Sequence, residues 1–252
     1  MDDESLLPAL RKAVQEIVGG ERRIGVAYSG GIDSSIVAAL AQEITHVKCY
    51  SAVVPGSHDA RTVSASAAEE GRELVVVELS DGPLVQLVIE ARNLVGSSNP
   101  TPVAYTIPLI AAIGAADETV VLAGNGADEL FGGYAKYVNG SDPQLQMAED
   151  LKKAIREADA LEKHALEKGK RVGFPFLSDS VQELARAMPL ERKIQEGSRK
   201  LPLKTLARGL RLPSEHRQKK AAQYSSGVLR RIEKLAKSDG KSAVDWITSL
   251  SR

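Results

Sequence analysis

Four short apolar runs rich in β-branched residues, Ile24 to Tyr28, His46 to Val54, Leu74 to Leu79 and Thr119 to Ala123, alternate with helical patterns over 34–44, 59–71, 81–94 and 103–116. Runs that are apolar throughout mark strands buried on both faces, and a parallel pair needs a crossover that an intervening helix supplies. The alternation predicts an α/β fold: a parallel twisted sheet with helices on both faces, whose ligands bind beyond the carboxyl ends of the strands. After Tyr137 the character changes. From Pro143 to Lys170 nearly every residue is a good helix former, Gly173-Phe174-Pro175-Phe176 breaks the pattern, Pro202 and Pro213 punctuate it further, and no strand-like run follows. This half is expected to form a helical layer on the sheet, so that residues 1–252 make a single domain of an α/β part (1–140) and a helical part (141–252).

Composition narrows the class. With 43% hydrophobic and 26% charged residues the chain has material for a proper core, and 33 Lys plus Arg against 33 Asp plus Glu leave no net field to draw in nucleic acid or an anionic membrane. Aromatics make up 4% of the chain, too few for base-stacking platforms. A single cysteine, Cys49, excludes an internal disulfide and fits core filling in a reducing compartment. The start, Met1-Asp2-Asp3-Glu4, lacks the basic flank and apolar stretch of a signal peptide, and no run approaches the roughly twenty apolar residues of a membrane span, so the expected location is the cytoplasm.

Directly after the first strand comes Ser29-Gly30-Gly31-Ile32-Asp33-Ser34-Ser35, then the apolar helix start Ile36-Val37-Ala38-Ala39-Leu40. Glycines let the backbone turn sharply and approach a ligand, the amide groups and positive end of the following helix make an anion site, and the serines add hydroxyl donors. Asp33 would repel a phosphate unless a cation intervenes, which points to Mg²⁺; capping the helix is its bland alternative. The spacing is neither that of a Walker loop nor of a dinucleotide fingerprint. It resembles the S-G-G-x-D-S signature of the N-type ATP pyrophosphatases, among them asparagine, GMP, NAD and argininosuccinate synthetases and several tRNA-modifying enzymes. The resemblance implies a PP-loop ATPase fold of the adenine nucleotide α-hydrolase kind and a loop that grips the pyrophosphate of ATP.

After the fourth run stands Leu122-Ala123-Gly124-Asn125-Gly126-Ala127-Asp128-Glu129-Leu130-Phe131-Gly132-Gly133-Tyr134. It resembles the G-E-G-A-D-E-L-F-G-G-Y block of the asparagine synthetase synthase domain. Pro55-Gly56-Ser57, Arg171-Val172-Gly173-Phe174-Pro175-Phe176-Leu177, and Arg217-Gln218-Lys219-Lys220 with Gln223-Tyr224-Ser225-Ser226-Gly227 follow in that family's order, so the likeness runs from about residue 21 to about residue 238. It implies ATP and Mg²⁺ as cofactors. Ser29, Gly30, Gly31, Asp33 and Ser34 would hold the phosphates, Asp33 and Asp128 would share Mg²⁺, and the region around Ala52, with Ala123 and Gly124, would hold AMP. Lys219 matches a late family lysine that stabilises the pyrophosphate leaving group, and Lys204, four residues before Arg208, matches a second pyrophosphate contact.

Two departures bear on the reaction. These residues include no counterpart of the glutaminase domain of the glutamine-dependent synthetases, so nitrogen is expected as free ammonia, from a separate amidotransferase subunit, or as an amine on the substrate. The family glutamate of G-E-G is Asn125, and an amide cannot take a proton from an attacking nitrogen, which leaves Glu129 or Asp128 to do so. The expected function is an ATP-dependent ligase that adenylates a small-molecule carboxylate, releases pyrophosphate and forms an amide, with a homodimer among the assemblies open to it. The alternative is a catalytically altered nucleotide-binding subunit or regulator of the same fold; a tRNA-modifying enzyme is disfavoured by the lone cysteine and absent net charge.

Overall fold

A computed structural model describes residues 5–195, 198–217 and 225–251. Along the chain run α1 (Leu6–Val18), β1 (Arg23–Ala27), α2 (Ile32–Gln42), β2 (His46–Val53), α3 (His58–Glu69), β3 (Glu73–Glu78), α4 (Asp81–Val95), α5 (Pro100–Ala115), β4 (Val120–Leu122), α6 (Ala127–Phe131), α7 (Lys136–Asn139), α8 (Pro143–Glu167), β5 (Arg171–Gly173), α9 (Asp179–Ala187), α10 (Leu190–Lys193), α11 (Leu201–Gly209), α12 (Val228–Ser238) and α13 (Ala243–Ser249). The strands form one parallel sheet in the order β3-β2-β1-β4-β5. The fold class read from the sequence is therefore the one observed.

The sheet has a core on each face, and the two-residue period of a strand decides which side chain goes where. Ile24, Val26, Val47, Cys49, Val120 and Leu122 join one cluster with residues of α1, α2, α3, α9 and α11. Their neighbours Tyr50, Ala52, Val121 and Ala123 join the other, with residues of α4, α5, α8, α12 and α13. Both faces draw on helices from each half of the chain.

One expectation is corrected: a strand does follow Tyr137. β5 pairs in parallel with β4, Val121 opposite Val172, but it has only three residues, ends on Gly173 and runs straight into a Phe-Pro turn. Three residues are too few to carry a visible pattern, and glycine is depleted in strands. α5 also begins earlier than its apolar pattern, at Pro100, where the missing N–H costs nothing and the Asn99 side chain accepts from the Thr101 amide at 3.1 Å.

The order places β1 at the centre, with the chain moving outward one way through β2 and β3 and the other way through β4 and β5. The crevice between the loops after β1 and β4 is thus the topological switch point, where such sheets take their ligands.

Candidate active site

The Ser29–Gly31 loop leaves β1 and enters α2 by one sharp turn. Gly30 has φ +70, a left-handed conformation that favours glycine, and a β-carbon there would come within 2.9 Å of Ser66. The Ser34 hydroxyl folds back, donating to the Gly31 carbonyl at 3.0 Å and accepting from the Ser29 amide at 3.2 Å. Ser35 points away and donates to Glu70 at 2.9 Å. From the far end of the chain, the Arg217 guanidinium donates to the Gly30 carbonyl at 3.1 Å and to Glu70 at 2.9 Å, and pairs with Glu69. The neighbouring loop after β2 is tied in the same way: the Val54 amide donates to the Ser226 carbonyl at 2.9 Å. Beside that loop opens a cleft of about 300 Å³ with Pro55, His58, Arg230 and Lys234 among its walls.

Across the switch point, Gly124 lies against Asp33, and α6 carries Asp128 and Glu129 in its first turn. Asp33 does not cap its helix, a position Gly31 takes. Asp33 is buried and its carboxylate faces the Lys200 ammonium, with Nζ 2.7 Å from both Asp33 oxygens and 2.7 Å from Asp128 Oδ1. Burial alone would lower the Lys200 pKa, but Asp128 and Asp33 outweigh it and hold the ammonium above the usual lysine range. Gly133 completes the contact. A β-carbon there would stand 1.7 Å from Asp128 Oδ1 and 2.4 Å from Lys200 Cε, so only glycine lets the two side chains meet. Arg199 donates to the Gly133 carbonyl.

Glu129 accepts a hydrogen bond from the Tyr134 hydroxyl at 2.6 Å, and burial, then the Asp128 charge, push its carboxyl up to about 7. Tyr134 packs against Tyr137, ring centroids 5.4 Å apart; Tyr137 donates to Asp150 at 2.6 Å, and Tyr105 donates to Glu157. The β4 side of the crevice is therefore backed by tyrosine–carboxylate pairs.

The sequence-predicted residues sort as follows. Ser29, Gly30, Gly31, Asp33, Ser34, Gly124 and Asp128 meet around the crevice. Ala52 and Ala123 are buried in β2 and directly after β4, 5% and 1% exposed, so any contact with a ligand there is through the adjoining backbone. Asn125 is exposed. Lys204 Nζ donates to Ser198 at 2.8 Å. The lysine between the two aspartates is Lys200, one turn earlier. Lys219 lies outside the described residues. Lys200 went unnoticed although a signal existed: Pro202 marks a helix start, and a lysine just before the positive end of a helix calls for anionic partners.

Two carboxylates reaching one cation are hard oxygen donors that fit Mg²⁺, which takes one or two protein carboxylates and completes its shell with water and phosphate. Among the described residues no group of three or more His, Cys, Asp or Glu converges as an all-protein metal cage. No described helix is long and apolar enough to cross a membrane.

Residues 5–172 and 164–245 match the Asparagine synthase family. The chain belongs to that family. It is 30% identical over 282 residues to a Methanocaldococcus jannaschii protein and 26% identical over 266 residues to a Dictyostelium discoideum protein, both named as asparagine synthetases of the glutamine-hydrolysing kind. These alignments cover 94% and 90% of this chain but 52% and 47% of the relatives, so the chain spans about half the length of the curated relatives it matches. Among solved structures, an NMN synthetase from Francisella tularensis aligns over 98% of this chain and 92% of its own, at TM-score 0.47 and 11% identity. A U34-tRNA thiolase from Methanococcus maripaludis aligns over 98% and 78%, at TM-score 0.37 and 14% identity. Likeness at these scores bears neither on the detail of the fold nor on what this family member does.

Proposed function

We propose that this asparagine synthase family member binds ATP with Mg²⁺ across the β1/β4 crevice, adenylates a carboxylate with release of pyrophosphate, and forms an amide with ammonia or an amine. The observation that carries the reading is the convergence of Asp33, from the glycine turn after β1, and Asp128, from the glycine block after β4, on a single cation position. The turn and the amino end of the 11-residue α2 would bind the phosphates. Asp33 and Asp128 would hold the metal, which would supply Lewis-acid chemistry to the phosphates. The backbone at Ala52, Ala123 and Gly124 would border AMP, and Lys219 and Lys204 are proposed as cations for the departing pyrophosphate, where charge grows as the bond breaks. Asn125 cannot accept the proton of the attacking nitrogen. Glu129, close by and hydrogen-bonded to Tyr134, has the chemistry to do so.

Pyrophosphate exchange tests the reading: labelled pyrophosphate should enter ATP only when a suitable carboxylate is present, and Asp33→Asn should abolish it. Lys219→Ala should lower turnover far more than ATP affinity. If Mg·ATP binds but neither exchange nor AMP appears across a broad panel of carboxylates, the ligase reading fails and a nucleotide-sensing role replaces it.

A further inference from the structure

The cation position between Asp33 and Asp128 is filled by the protein itself. Lys200 Nζ takes both oxygens of Asp33 and one of Asp128 at 2.7 Å, with side chains 10%, 3% and 27% exposed for Lys200, Asp33 and Asp128. Magnesium sits about 2.0–2.1 Å from its oxygens, so a metal ion brought to the same carboxylates would compete for their lone pairs with an ammonium already bonded to three of their oxygens. The local charge makes the same point. An ammonium seated on both carboxylates repels a divalent ion added beside it, in a setting with little water to screen the pair.

The backbone is built around this lysine. Lys200 has φ +56, a left-handed conformation that non-glycine residues adopt only where the surroundings enforce it, at a position before a helix where extended backbone is usual. Gly133 opens the space its Cε occupies, and Arg199 fixes Gly133 from the adjacent position. A chance surface ion pair has neither support.

We propose that Lys200 is a built-in competitor of the divalent metal for Asp33 and Asp128, so that the ion is held tightly only when it arrives together with a triphosphate. The negative charge of the phosphates balances the extra cation and gives the displaced ammonium a new partner. Metal and nucleotide binding thereby become mutually dependent, as linkage requires of any two ligands with a coupling free energy. The proposal rests on the Mg·ATP reading of the crevice for the nucleotide arm, while its metal arm stands without it.

The probe is Mn²⁺, followed by the electron paramagnetic resonance of the free ion. Without nucleotide, Lys200→Met should bind Mn²⁺ roughly tenfold or more tightly than the unaltered protein. Lys200→Arg, which keeps the charge, should behave like the unaltered protein. The thermal midpoint of Lys200→Met should also rise with added Mn²⁺, where that of the unaltered protein does not. Equal Mn²⁺ affinity of Lys200→Met and the unaltered protein overturns the proposal, because a purely structural ion pair would shift stability alone. Should Lys200→Met not fold, the unaltered protein decides: Mn²⁺ affinity should increase at least about tenfold with α,β-methylene-ATP, and no increase overturns the idea. Absence of nucleotide binding altogether would sink the ATP reading while leaving the metal comparison readable.

Discussion

At the scale of single residues, the surroundings of Glu129 work against its charge. Its ordinary pKa of 4.5 rises to about 7 in the folded protein, mainly through burial and then through Asp128. Between those values the folded chain keeps a proton that the unfolded chain has lost, so the contribution of Glu129 to stability falls as pH rises through this window. Glu129→Gln, which retains an acceptor for Tyr134, should therefore melt higher than the unaltered protein at pH 8 and show little gain at pH 4.5. The difference should be about 3 kcal/mol at most, read by thermal denaturation without added metal or nucleotide. If Glu129→Gln and the unaltered protein share one pH profile, the carboxyl is better solvated than its position implies. Cys49 also follows its environment: it is fully buried in the core with its thiol pushed up to about 12, in keeping with the core-filling role read from its apolar run.

At the scale of elements, Arg217 links the segment after the short helical turn Pro213–His216 to both the glycine turn and α3. Arg217→Ala would strip the Gly30 carbonyl of a donor and leave Glu70, whose side chain is 0% exposed, with less compensation. The expected cost is about 2–4 kcal/mol in a urea titration. Nucleotide affinity should weaken as well, because the turn would lose its outer anchor. A variant with unchanged midpoint and affinity would show that the clamp is ornamental. This scale also shows what the sequence made legible. The long elements announced themselves: β-branched runs gave β1 to β4 to within a residue or two, and the turn at Ser29–Gly31 carried its own chemistry. β5 stayed hidden because three residues ending in glycine have no periodicity. Pro202 could have marked Lys200 as a lysine in want of anions, but which anions stayed hidden, because Asp33 and Asp128 stand 167 and 72 positions away and only the closed sheet brings the three together. Lys204, to which the family resemblance points, lies inside α11, one turn past Lys200, and bonds to Ser198.

For the molecule as a whole, each sheet face is covered by helices drawn from both ends of the chain, which shapes how it should come apart. α1, α2 and α11 share one core, while α5, α8, α12 and α13 share the other. We propose that residues 1–140 and 141–252 unfold as one unit. Trp246, buried in α13 with its indole donating to Asp239 at 2.9 Å, reports the late half by fluorescence. Far-ultraviolet circular dichroism reports all helices together. The two urea curves should superimpose, as a two-state transition demands. Two separated midpoints would instead mean that the helical portion detaches on its own.

The Arg217 strap has one more consequence, for the order of events during synthesis. A chain leaving the ribosome presents its glycine turn first, and the guanidinium that fastens it emerges nearly 190 residues later. At about 5–20 residues per second that interval lasts on the order of ten to forty seconds. Through it the turn has no fastening from its own carboxyl-terminal partner, and nucleotide present early would find only a loose cradle.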